Sequence, residues 1–225
     1  MKRTFALVLA AAALGACSMV PNGGSQGNSG RQAVRPAQPA YVPTLENRQC
    51  LSQLGAAEAS FAPLPDKFYG GGCSTVNTVQ LSALYRDDNR TLGLGNLGPV
   101  ACPVANSFAG WARYGVDRAA RTILGSPLAR IETFGSYSCR NVAGSARRSA
   151  HATANAIDVS GFVLEDGRRI SVKQGWSGGT QEEREFLRIV HTSACKRFGT
   201  VLGPEYNQAH KDHFHLEGGG RPFCR

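Results

Sequence analysis

Histidine and carboxylate side chains fall in two short stretches. The first runs from Ser149 through His151 to Asp158, and the second holds Asp212, His213 and His215. From Asn155 to Val163 the residues alternate, with Ile157, Val159 and Val163 on one side and Ala156, Asp158, Ser160 and Phe162 on the other, the pattern of a strand. The β-branched residues and Gly161 argue against a helix. Asp158 therefore faces away from the valines, and a loop rich in serine, alanine and threonine can fold His151 back beside it. His213 and His215 are two apart, so on a strand both imidazoles share a face while Phe214 and Leu216 take the other. One face thus receives an aspartate and up to three histidines. Zinc takes imidazole nitrogen and carboxylate oxygen in a four-coordinate shell, and three protein ligands leave one position open. Two neutral histidines and one aspartate leave a net positive charge, which acidifies bound water and polarises a carbonyl. The remaining histidine is then available to carry a proton near neutral pH.

The pattern Ser149-x-His151, Asp158 and His213-x-His215 resembles that of the zinc D-alanyl-D-alanine metallopeptidases and the related murein endopeptidases. More closely, the run from Tyr137 and Arg140 through Ala156–Phe162 to Asp212–His215 resembles the bacterial extensin-like C-terminal domain family, over roughly Cys50 to the C-terminus. The peptidase resemblance implies His151, Asp158 and His215 as zinc ligands, with His213 acting beside the metal-bound water and Arg140 gripping substrate or the developing oxyanion. Asp212 is a second possible proton handler. Two positions depart from the peptidase pattern: Ala154 stands where a glycine is usual, and no Glu-x-x-His replaces the histidine pair. Ser149 is read as hydrogen-bonding at the substrate rather than as a nucleophile, since no Gly-x-Ser-x-Gly elbow surrounds it. Trp176, in a Gly175–Gly179 loop, is read as lining the substrate groove, with a core-edge position as the alternative. A surface salt bridge is the alternative for Arg140, and His191 and His210 are read as structural or solvated.

The chain has 225 residues. Lys2 and Arg3 precede an apolar run from Phe5 to Leu14, the form of a secretory leader that is too short to span a bilayer. Leu14, Gly15, Ala16 and Cys17 resemble a bacterial lipobox, implying cleavage after residue 16 and a lipid on Cys17. Ordinary signal-peptidase cleavage, leaving Cys17 a thiol, is the alternative. Residues 18–43 are rich in Gly, Ser, Asn, Gln and Pro and read as a flexible linker. The domain spans 44–225, enough for one core. Losing residues 1–16 removes Lys2 and Arg3 and no acid, so 23 bases against 16 acids leave a formal +7. No nucleic-acid-binding motif accompanies that charge, and an exported chain meets anionic wall polymers instead. Cys50, Cys73, Cys102, Cys139, Cys195 and Cys224 make an even set in an exported chain, so three disulfides are expected, paired Cys50–Cys73, Cys102–Cys139 and Cys195–Cys224. No Cys-x-x-Cys argues for zinc at these cysteines.

Thr44 caps a short helix that Gly55 stops. Thr75–Leu81 reads as a strand and Leu92–Pro99, with its glycines, as loop. The best helix is Pro103–Leu124, with Val104, Phe108, Trp111, Ala112, Ala119 and Ile123 as its apolar stripe. Leu128–Tyr137 alternates, Asp166-Gly167 marks a hairpin, and Thr180–Glu183 is a capping box opening a helix to about Phe198. The expected class is α+β, a small antiparallel sheet carrying the metal site with helices on one side. The reading is a lipid-anchored periplasmic zinc peptidase acting on peptidoglycan stem peptides, an endopeptidase at crosslinks, sorted to the outer rather than the inner membrane. The alternatives are a D,D-carboxypeptidase and a non-catalytic wall-binding lipoprotein that retains a metal pocket.

Overall fold

The computed structural model describes residues 44–225, so the expected leader, the lipid at Cys17 and the linker lie outside the described residues. Helix α1 (Leu45–Ala56) is capped by the Thr44 hydroxyl, which accepts from the Asn47 N–H at 3.2 Å. Gly55 lies inside its last turn instead of ending it. Strands β1 (Ser60–Pro63), β2 (Lys67–Gly70), β3 (Cys73–Thr75), β4 (Thr78–Tyr85), β5 (Thr91–Gly95) and β6 (Pro99–Ala101) follow. The presence of β5 corrects the loop expected there: neighbours on both edges, β4 and β7 (Leu128–Gly135), supply a ladder that outweighs the poor strand propensity of Gly93 and Gly95.

The expected long helix is present with a widened middle: α2 (Cys102–Trp111), a π-helical stretch (Ala112–Asp117) and α3 (Arg118–Ile123). Buried Asp117 accepts from the Leu128 N–H and from Arg121, both at 2.8 Å, and so fixes where β7 starts. After β7 come a 3₁₀ turn (Ala150–Thr153), β8 (Ala156–Leu164), β9 (Arg169–Ser171), α4 (Val172–Gly178) and α5 (Gln181–Ala194). Thr180 and Glu183 form the expected capping box of α5. Strand β10 (Thr200–Leu202), a 3₁₀ turn (Gln208–His210), β11 (Phe214–Glu217) and β12 (Phe223–Cys224) complete the chain. Gly175–Gly178 belong to α4 and not to a loop, because the Ser171 hydroxyl caps the segment by accepting from the Gln174 N–H.

The class is α+β, as expected. The main sheet holds ten strands in the order β1-β4-β5-β7-β8-β11-β10-β12, with β6 paired to β4 and β9 to β8. It is mixed rather than purely antiparallel, since β5–β7 and β10–β12 run parallel. Its buried face presents Ile157, Val159, Phe162, Phe214 and Leu216. Phe162 meets Trp111 of α2 and Phe186 of α5 edge-on, and the Trp111 indole donates to the Val190 carbonyl at 2.9 Å. Simple alternation fails within β8. Asp158 and Phe162 were expected on one face, but a bulge between Glu132 and Thr133 of β7 pairs Glu132 with Gly161 and Thr133 with Val159. The extra residue in β8 turns Phe162 into the core while Asp158 stays on the other face.

Two expected disulfides are corrected. Cys50 pairs with Cys102 and Cys73 with Cys139, while Cys195–Cys224 is as expected. Pairing neighbours in sequence overlooked that α1 packs against α2, which puts Cys50 beside Cys102. Cys73 then meets the segment that follows β7.

Candidate functional site

Strand β8 sits centrally, between β7 and β11, and its register places Asp158 directly opposite His215. Side chains opposite each other on an antiparallel pair share a face, so this pairing brings carboxylate and imidazole together. His215 Nδ1 lies 2.9 Å from Asp158 Oδ1. The 3₁₀ turn carries His151 to the same place, its Nε2 3.1 Å from Asp158 Oδ2 and 3.1 Å from His215 Nδ1. Ala154 closes that turn with φ +54°, a left-handed conformation that glycine adopts most readily. All three side chains are buried.

Tautomers follow from the outer partners. His151 Nδ1 donates to the Ser136 carbonyl at 2.6 Å, which leaves the Nε2 lone pair facing Asp158. His215 Nε2 lies 3.4 Å from Glu217 Oε2, so a metal taken up on Nδ1 would leave the imidazole proton on Nε2, facing that carboxylate. With both imidazoles neutral, two nitrogen lone pairs and a carboxylate would face one another, an arrangement that calls for a cation. The two nitrogens stand 3.1 Å apart and each meets its own Asp158 oxygen, at 3.1 and 2.9 Å, near the roughly 3.3 Å between donors about a tetrahedral zinc at ~2.0 Å. His151, Asp158 and His215 could therefore hold a metal, with Ser136 and Glu217 orienting the imidazoles. With no ion between them, protons on the imidazoles answer the carboxylate instead. Burial alone would raise the Asp158 carboxyl, but hydrogen bonds from His151 and His215 and the charge of His213 hold it far below the usual range. Burial alone would lower His215, yet Asp158 and Glu217 push it up to about 9.

The other expected residues divide. His213 Nδ1 is 2.9 Å from Asp212 Oδ1, and its Nε2 reaches to 3.5 Å from Asp158 Oδ1. Arg140 stands at 3.8 Å from Asp158 Oδ2 with about half its side chain exposed. The Ser138 N–H donates to the His151 carbonyl and the Ser149 N–H to the Arg140 carbonyl, so the loop closes on itself and keeps Arg140 beside His151. Ser149 and Trp176 do not line an open surface. Ser149 is buried, and its hydroxyl caps the 3₁₀ turn by accepting from the His151 N–H. Trp176 is buried against His191 and Phe214 under the Arg188 guanidinium, because α4 packs that face inward.

The model of the extensin-like protein C-terminus family matches residues 48–225. The chain belongs to this family. No curated protein and no solved structure matches it. In this extensin-like chain His210, read from the sequence as structural or solvated, has its ring 5.2 Å from that of His213 and 5.8 Å from that of His215. Burial, then the neighbouring His213 and His215, pull His210 down to about 4. Glu217 was overlooked in the sequence, although its spacing of two from His215 on one strand was a usable signal. Ser136 acts through a backbone carbonyl, which leaves no mark in a sequence. A further grouping, His191 with Cys195 and Cys224, has its two sulfurs joined in a disulfide.

Proposed function

We propose that this chain is a zinc-dependent peptidase that hydrolyses the stem peptides of peptidoglycan, as an endopeptidase at crosslinks. The observation that carries the reading is the convergence of His151 Nε2, Asp158 and His215 Nδ1 within 3.1 Å of one another, with His213 alongside. These three residues would hold the ion, and zinc there would supply a Lewis acid that polarises a peptide carbonyl and acidifies water. Asp212 holds His213 by Nδ1, so Nε2 is the atom left to take up a proton beside Asp158 and return it to the leaving amine. Arg140, charged and half-exposed, faces the same point and would hold the negative charge that develops on the carbonyl oxygen. His151 is oriented by Ser136 and by the Ser149 cap, so its imidazole needs little reorganisation.

The likeness of the His151, Asp158 and His213-x-His215 spacing to that of the murein peptidases supports the substrate class. The leader with its lipobox-like ending and three disulfides supports an exported chain, periplasmic and tethered to the outer membrane through Cys17. No helix among the described residues is long and apolar enough to cross a membrane.

Zinc content and muropeptide turnover on wild type, His151→Ala and His213→Ala test the proposal. One zinc per chain in wild type, lost in His151→Ala, is expected. Turnover should vanish in both variants while His213→Ala keeps its metal. Bound zinc without cleavage of any crosslinked or linear stem peptide would instead support a wall-binding module, and absence of bound metal would overturn the site.

A further inference from the structure

The open face of the sheet continues away from Asp158 as a groove. Ser160, two positions along β8, lies on its floor, with Phe134 on one wall, Arg169, Ser171 and Lys173 on the other, and Asp212 at the end beside His213. This part encloses about 220 Å³. A second depression of about 290 Å³ shares Ser160 and Arg169 and runs past Glu132 to Asn96 and Arg130, so the two form one channel over β8. Gly161 keeps the floor low. A Cβ there would lie 3.0 Å from the Ile170 carbonyl oxygen and 3.1 Å from Glu132 Oε2. The Glu132–Arg169 ion pair, at 2.6 Å, joins the strands on either side of β8 at this level.

The channel's charges do not balance. Glu132 is engaged by Arg169 and, at 3.7 Å, by Arg130, while Asp212 is engaged by His213. Exposed Lys173 has no ion-pair or hydrogen-bond partner among the described residues. An unanswered cation in a groove that leads to a reaction centre favours an anionic group on the ligand.

We propose that this channel is the subsite for the substrate chain on one side of the cleaved bond, and that Lys173, helped by Arg169, receives a carboxylate carried by that chain. The inference rests on the peptidase reading above. Ser171, two residues before Lys173, pairs with Gly161, three positions from Asp158 along β8 and so roughly 10 Å away along a strand. The recognised carboxylate therefore belongs to a residue about two or three positions from the cleaved bond, at ~3.3 Å per extended residue. Beyond Arg169 the channel continues to Arg130 instead of ending, which admits a chain that runs on past the carboxylate and fits endopeptidase action.

The test uses full-length protein and two labelled peptides of alternating L- and D-residues. One carries a free carboxylate three residues from a central D-alanyl bond, and in the other that group is amidated. Binding is read by fluorescence anisotropy in EDTA, so that turnover plays no part. Wild type should bind the acid about tenfold more tightly than the amide, and Lys173→Glu should bind the acid no more tightly than the amide. Equal binding of acid and amide by wild type, no binding of either, or discrimination that survives in Lys173→Glu would overturn the proposal. Turnover without EDTA separates the two readings. Lys173-dependent discrimination with no cleavage by wild type would keep the channel and sink the peptidase; cleavage of both peptides at equal kcat/KM would do the reverse.

Discussion

Three histidines reach Asp158 within 3.5 Å, and each is held by a different outer partner: His151 by a backbone carbonyl, His215 by Glu217 and His213 by Asp212. Under the proposed function, those partners would set which nitrogen carries a proton, and so separate the proposed metal ligands from the proposed proton carrier. Glu217→Gln should weaken zinc binding about tenfold with the fold unchanged, measured by competition against a chromophoric chelator; unaltered affinity would mean that Glu217 does not orient His215. Asp212→Asn should keep the zinc and lower turnover about a hundredfold, read by muropeptide cleavage and metal analysis on one preparation. Equal loss of metal and turnover would instead assign Asp212 to metal binding.

At the scale of elements, the site depends on one strand pairing and one tethered loop. The β8–β11 register puts Asp158 opposite His215, and the segment from Ser136 to Ser149 brings Arg140 and His151 to them. That segment is pinned to β3 by Cys73–Cys139 and to the turn after β2 by Arg148, which donates to the Gly71 carbonyl at 2.6 Å. Replacing both cysteines with serine should lower stability by about 2–4 kcal/mol, measured by chemical denaturation. It should also reduce kcat/KM through Arg140 while zinc content holds, because the proposed ligands rest on β8, β11 and the 3₁₀ turn. Loss of zinc in this variant would show that the tether also positions His151.

Across the whole molecule, the α5 and β11 layers meet at His191, which packs against Trp176 and Phe214. Burial pulls His191 below its ordinary value, a pull that its contact with the Arg225 carbonyl and the Glu205 charge only partly offset. The unfolded chain then takes up a proton in a range where the folded chain does not. The stabilising contribution is full above the ordinary histidine pKa of about 6.5. It is lost as pH falls from there toward the depressed folded value. Denaturation midpoints at pH 7.5 and 5.5 should drop more for wild type than for His191→Gln. An equal drop in both would remove His191 as the cause.

Residue types and short-range periodicity were enough to place Asp158 on a strand, put His213 and His215 on one face, cap α1 and α5, and indicate an α+β chain. Each of these depends on spacing within a single segment, where backbone geometry decides side-chain direction. The disulfide partners Cys50–Cys102 and Cys73–Cys139 and the inward turn of Trp176 and Ser149 were settled only by packing between segments distant in sequence. So was the bulge that sends Phe162 into the core, because it arises from the mismatch between β7 and β8 rather than from either strand alone. Local sequence selects directions along one strand or helix; which directions converge is chosen by the burial of the sheet against its helices.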